Sequence, residues 1–119
     1  MRCLDAYALV EIHNGNPLFI GLLNEEAVIT DVTMAEFYGH LYKKHNAATA
    51  DYWHRKLSFI CKNVPRDTLI KATKFRIDRK EKNLSFSDCV GYVFAAENGM
   101  RFVTGDREFR QMQGVEFVK

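Results

Sequence analysis

Four carboxylates, Asp5, Glu36, Asp88 and Asp106, fall where an expected strand has just ended or an expected helix has just begun. In a parallel α/β sheet the carboxyl ends of the strands share one edge, and ligands bind in the crevice beyond it. Acids far apart in sequence would meet there. Crowded carboxylates repel one another unless protons or a cation neutralise them. Their hard oxygens suit Mg2+ or Mn2+, and Mg2+ keeps several waters while using few protein ligands. Such an ion activates water and offsets charge on a phosphate under attack. Metal-dependent cleavage of a phosphodiester is the chemistry to expect, and it requires no protein nucleophile.

Each acid also has a structural explanation. Asp5 follows an apolar strand and precedes a helix, so it could cap that helix by accepting a backbone N–H. Asp106, in Thr104-Gly105-Asp106, has the same two readings. Asp88 fits a capping box with Ser85. Glu36 lies nearly opposite the apolar stripe of Met34, Phe37 and Leu41, on the side of His40 and Lys43, where a solvated glutamate is ordinary. Its first-turn position would let a long side chain reach over the helix end toward the strand edge.

Alternating short strands and helices must position these residues. Strands are expected at 1–4, 27–29, 101–104 and 115–118, with a weak one at 59–61. Helices are expected at 6–13, at 18–23 after Pro17, at 33–44 capped by Thr30 or Asp31, at 47–57, at 65–80, and from Ser85 to a glycine stop at Asn98-Gly99. A short helix should follow Gly105-Asp106. Strands separated by helices favour right-handed crossovers and a mainly parallel sheet.

The 119 residues fit one domain, 1–119, with 47% hydrophobic and 27% charged residues, the balance of a folded chain rather than a disordered one. A net charge of +2 does not by itself indicate nucleic-acid binding, although a local basic face could coexist with an acidic pocket. Cys3, Cys61 and Cys89 are odd in number and lack CxxC or Cys/His spacing, which disfavours a disulfide framework or structural zinc. Cys3 and Cys89 read as small buried hydrophobes. No apolar run reaches the roughly 18 to 20 residues that cross a bilayer. The first residues read as a strand rather than a signal peptide, so a cytoplasmic protein is the default expectation.

Taken in order, the motifs resemble those of a PIN domain, especially the small toxin ribonucleases of the VapC type. Leu4-Asp5-Ala6-Tyr7-Ala8-Leu9 looks like the first motif, and Met34-Ala35-Glu36-Phe37 corresponds to the helix-borne acid of the second. Leu84-Ser85-Phe86-Ser87-Asp88-Cys89 is similar to the third motif. Phe102-Val103-Thr104-Gly105-Asp106-Arg107-Glu108-Phe109 is similar to the fourth. One departure stands out: family members carry Ser or Thr one or two positions after the first aspartate, where this chain has Ala6 and Tyr7.

The resemblance implies a three-layer α/β/α domain around a mainly parallel sheet of about five strands. It implies an RNA substrate cut to leave a 5′-phosphate and a 3′-hydroxyl, a homodimer, and a cognate antitoxin whose peptide covers the site. Asp5, Asp88 and Asp106 would be the central metal ligands, direct or through water, with Glu36 as a fourth acid. Thr104 would orient a neighbouring carboxylate.

Arg107, beside Asp106, is a candidate phosphate contact. Lys71, Lys74, Arg76, Arg79, Lys80 and Lys82 concentrate positive charge against only Asp78 and Glu81, which is either a solvated helix face or an RNA-contacting one. The histidines show no metal or triad spacing. Of Phe19, Tyr38, Tyr42, Tyr52 and Trp53, most are expected in the core, with Tyr52-Trp53 as a possible interface. Two other phosphotransfer classes fit poorly. Haloacid dehalogenase-like phosphatases need a second aspartate where Tyr7 stands, and receiver domains need an acidic pair and a late lysine. A PIN-like scaffold that binds RNA or protein without cutting is the non-enzyme alternative.

Overall fold

A computed structural model describes residues 1–24 and 26–119. Among the described residues, five strands form one sheet: β1 (Arg2–Leu4), β2 (Ala27–Thr30), β3 (Cys61–Lys62), β4 (Arg101–Thr104) and β5 (Val115–Phe117). The order across the sheet is β3-β2-β1-β4-β5, and every pairing is parallel. The helices are α1 (Ala6–His13), α2 (Pro17–Ile20), α3 (Asp31–Lys44), α4 (Ala47–Leu57), α5 (Arg66–Asp78) and α6 (Phe86–Glu97).

The period-two alternation of the strands divides the core in two. On one face, Leu4, Ala27, Ile29 and Val103 pack with α1 to α4 through Leu9, Phe19, Phe37, Leu41 and Leu57. On the other, Cys3, Val28 and Phe102 pack with α5 and α6 through Ala72, Val90, Phe94 and Ala95. Registered neighbours such as Cys3, Val28 and Phe102 share a face. The result is a three-layer α/β/α sandwich with β1 at its centre. Cys3 and Cys89 are buried as expected, and burial pushes their thiols up to about 12 and about 11.

Local departures from the sequence reading have physical causes. Residues 58–60 form a 3-10 turn instead of strand, and Phe59 is 75% exposed, so the apolar run there reported neither pairing nor burial. The third strand is Cys61–Lys62. The expected helix at 18–23 is α-helical only over Pro17–Ile20 and tightens into a 3-10 turn over Gly21–Asn24. Helix α3 begins at Asp31 because Thr30 Oγ1 accepts the Thr33 N–H at 3.0 Å, making Thr30 the cap. Helix α5 ends at Asp78, and residues 80–82 form a further 3-10 turn closed by Asn83 in the left-handed region, φ 55°.

Candidate active site

The chain builds outward from β1 through β2 to β3, then returns to β4 on the other side of β1. The crossovers diverge between β1 and β4, leaving a crevice at their carboxyl ends where parallel sheets hold ligands. Asp5 immediately follows β1 and Asp106 follows β4 by two residues.

Both perform the caps expected of them. Asp5 Oδ1 accepts the Ala8 N–H at 2.7 Å, while the Asp5 N–H donates to Val103 O at 3.1 Å and ties the site to β4. Asp106 Oδ1 accepts the Glu108 N–H at 2.9 Å, and the Asp106 N–H donates to Thr104 Oγ1 at 3.0 Å. Asp88 stands in the first turn of α6, its N–H held by Ser85 Oγ at 3.1 Å. Glu36 is exposed as helix geometry demands, yet its Oε1 accepts the Ser87 hydroxyl at 2.6 Å across 51 residues of sequence. That bond swings the carboxylate off the solvent face toward α6.

All four acids line one open pocket of about 600 Å³, together with Tyr7, His40, Ser85, Gly105, Arg107 and Lys119. Capping and lining are therefore compatible roles for Asp5 and Asp106, one carboxylate oxygen serving each cap. Asp5 is 1% exposed, and its Oδ2 is buried without a hydrogen-bond partner. Burial pushes its carboxyl up to about 6 and the Asp106 charge adds to this. The Thr104 hydroxyl and the Ala8 and Gly105 amides oppose the rise.

Asp88 rises further, to about 8, first through burial and then through Asp5 and Glu36, with Ser85 opposing and Asp106 adding a smaller push. The acids thus feel one another as a group. They ring the pocket rather than closing on one point: among the described residues, no three His, Cys, Asp or Glu side chains form a ready-made cation cage.

Thr104 is fully buried and fixes the backbone of Asp106 with its hydroxyl beside Asp5. Arg107 is exposed at the pocket rim. Sequence reasoning left out several lining residues. His40 had a usable signal, standing one helical turn beyond Glu36. Burial, then Lys44, His13 and His45, lower its pKa against the pull of Glu36, so the ring is neutral at neutral pH. Gly105 had none: a Cβ there would overlap the Tyr7 ring, which packs edge-on to Phe19 and lies under the Lys119 ammonium at 5.4 Å. Tyr7 thus fills the space beside Gly105.

Residues 2–115 match the family model of the PIN domain. The chain belongs to the PIN-domain family. No curated protein matches it closely. Similar solved structures include a toxin–antitoxin complex from Klebsiella pneumoniae, with 18% identity over 98% of this chain and 96% of that one and a TM-score of 0.77. Mycobacterium tuberculosis VapC20, a sarcin-ricin loop cleaving toxin, is 16% identical over 99% and 97% of the two chains, TM-score 0.76. DNA-bound VapBC from Salmonella typhimurium is 18% identical over 98% and 96%, TM-score 0.74.

Proposed function

We propose that this protein is a divalent-metal-dependent endoribonuclease hydrolysing RNA phosphodiester bonds, the toxin of a type II toxin–antitoxin pair. The observation that carries the reading is the pocket itself, where four carboxylates gather and the innermost, Asp5, keeps a buried oxygen without a partner. A buried unpaired carboxylate oxygen is costly unless something fills the gap. A hard divalent cation fits this donor set. Asp5, Asp88 and Asp106 would hold it, directly or through water, with Glu36 as the fourth acid. Mg2+ or Mn2+ are the ions of choice. Such an ion supplies water activation and neutralisation of phosphate charge.

The chain's own residues do the rest. Thr104 and Ser85 fix the backbones of Asp106 and Asp88, and Ser87 aims Glu36. Arg107 at the rim supplies positive charge for the phosphate backbone. His40, neutral at neutral pH, can accept or donate a proton at the pocket wall. Family membership and the toxin–antitoxin neighbours support a toxin nuclease with a cognate antitoxin; a cytoplasmic homodimer completes the proposal. The product ends would be a 5′-phosphate and a 3′-hydroxyl.

Purified protein incubated with a mixed pool of structured RNAs tests this, with Mg2+ or Mn2+, with EDTA, and beside Asp88→Asn. Cutting that needs the metal and is lost in the variant is expected. RNA binding without cutting under any metal would favour a scaffold, the reading toward which Ala6 and Tyr7, lacking the usual aliphatic hydroxyl, incline.

A further inference from the structure

We infer that a second cavity, lined by Arg76, Ile77, Lys80, Asn83 and Leu84 beside the acidic pocket, is a cradle for a non-scissile phosphate of the RNA chain. The inference rests on the nuclease reading and extends it. This cavity, of about 230 Å³, lies where α5 ends and the 80–82 turn begins. Leu84 lines it, and the next residue, Ser85, lines the acidic pocket. Adjacent Cα atoms are about 3.8 Å apart, so the two cavities border the same stretch of backbone.

The charge is set for an anion. Arg76 Nε donates to Leu84 O at 2.8 Å, which anchors the guanidinium to the wall of the cavity. Among the described residues, the terminal nitrogens of Arg76 and the ammonium of Lys80 form no ion pair or side-chain hydrogen bond, and neither Asp78 nor Glu81 closes on them. Arg79 lies over the Phe75 ring at 4.0 Å, held at the helix end. Lys82 Nζ approaches Glu108 Oε1 at 4.0 Å and ties this turn to the one carrying Arg107.

Basic residues at a helix C-terminus also complement its dipole, which accounts for Arg76. It does not account for Lys80 and Lys82, which lie beyond that helix on the 80–82 turn, or for Arg107, which lines the acidic pocket. Acids in the pocket repel an RNA backbone, so flanking phosphates need a cationic anchor at its edge.

The test is anisotropy of labelled single-stranded RNAs from two to eight nucleotides, with Ca2+ replacing Mg2+ so that the acidic pocket is neutralised, and across a salt series. It compares the wild type with Lys80→Gln and with Arg55→Gln, an exposed cation on α4. Metal-dependent cutting of a long RNA is assayed in parallel. The expected result is a step in wild-type affinity once the chain is long enough to span both cavities. Lys80→Gln should erase that step, costing roughly fivefold in affinity and flattening the salt slope by about 0.7. Arg55→Gln should keep it, and circular dichroism should show both variants folded. If Lys80→Gln and Arg55→Gln bind alike while RNA is still cut, the cradle is wrong and the nuclease stands. If the wild type neither binds nor cuts any RNA, both fall.

Discussion

Ser87 and Glu36 illustrate what a single side chain can settle. From helix periodicity Glu36 belongs to solvent, and only its first-turn position and the family resemblance pointed it to the site; no spacing rule links it to a serine 51 residues away, so the bond that turns it there became visible only in three dimensions. Asp5, Asp88 and Asp106 were legible because each is fixed by local chain chemistry, a strand end or a helix start. Glu36→Gln keeps an oxygen for the Ser87 hydroxyl but removes the charge. Cleavage should slow roughly tenfold or more with folding intact; an unchanged rate would return Glu36 to the solvent face. Asp88→Asn should abolish cleavage while stabilising the metal-free fold. Asp88 keeps its proton to about pH 8 in the folded state, against an ordinary 3.8. Between those values the folded chain binds more protons than the unfolded one, so stability falls as pH rises. In EDTA, thermal melts should show Asp88→Asn matching the wild type near pH 4 and exceeding it by roughly 5 °C at pH 8. Equal melts at both pH values would mean that Asp88 carries no repulsion.

Among the elements, the long amphipathic helices and the four stronger strands follow from periodicity, and the weakest features do not. Strand β3 has two residues, too few for alternation, and the apolar Phe59 beside it faces solvent. Tyr42, grouped with the aromatics expected mostly in the core, is 60% exposed, because the α3 and α4 stripes that reach the sheet are filled by Phe37, Leu41 and Leu57; Tyr52, set apart as an interface candidate, is 51% exposed. The junction of α1 with the β4 turn is a further contact invisible to local pattern. Gly105→Ala should cost roughly 1–3 kcal/mol by driving a methyl into the Tyr7 ring. With Tyr7→Ala added, the two losses should fall short of their sum by more than about 0.5 kcal/mol. Strict additivity in urea melts would dissolve the link.

At the scale of the molecule, the site is a meeting of distant segments: β1 and α3 from the first half, α6 and the turn after β4 from the second. Divalent ions should therefore stabilise the whole fold and not one loop. At 100 times Kd the gain is about 2.7 kcal/mol, and it should grow from pH 6 to pH 8 as Asp5 and Asp88 give up protons to the ion. A Tm indifferent to Mg2+ and Mn2+ across that range would argue against the metal. The sheet order has a further consequence for the life of the chain. Since β1 is innermost and its partner β4 begins at Arg101, a nascent chain still tethered to the ribosome carries Asp5 long before Asp106 and the Val103 carbonyl arrive to complete its surroundings. Under the proposed nuclease reading, a chain still being synthesised therefore lacks a complete site until β4 and the turn after it have emerged.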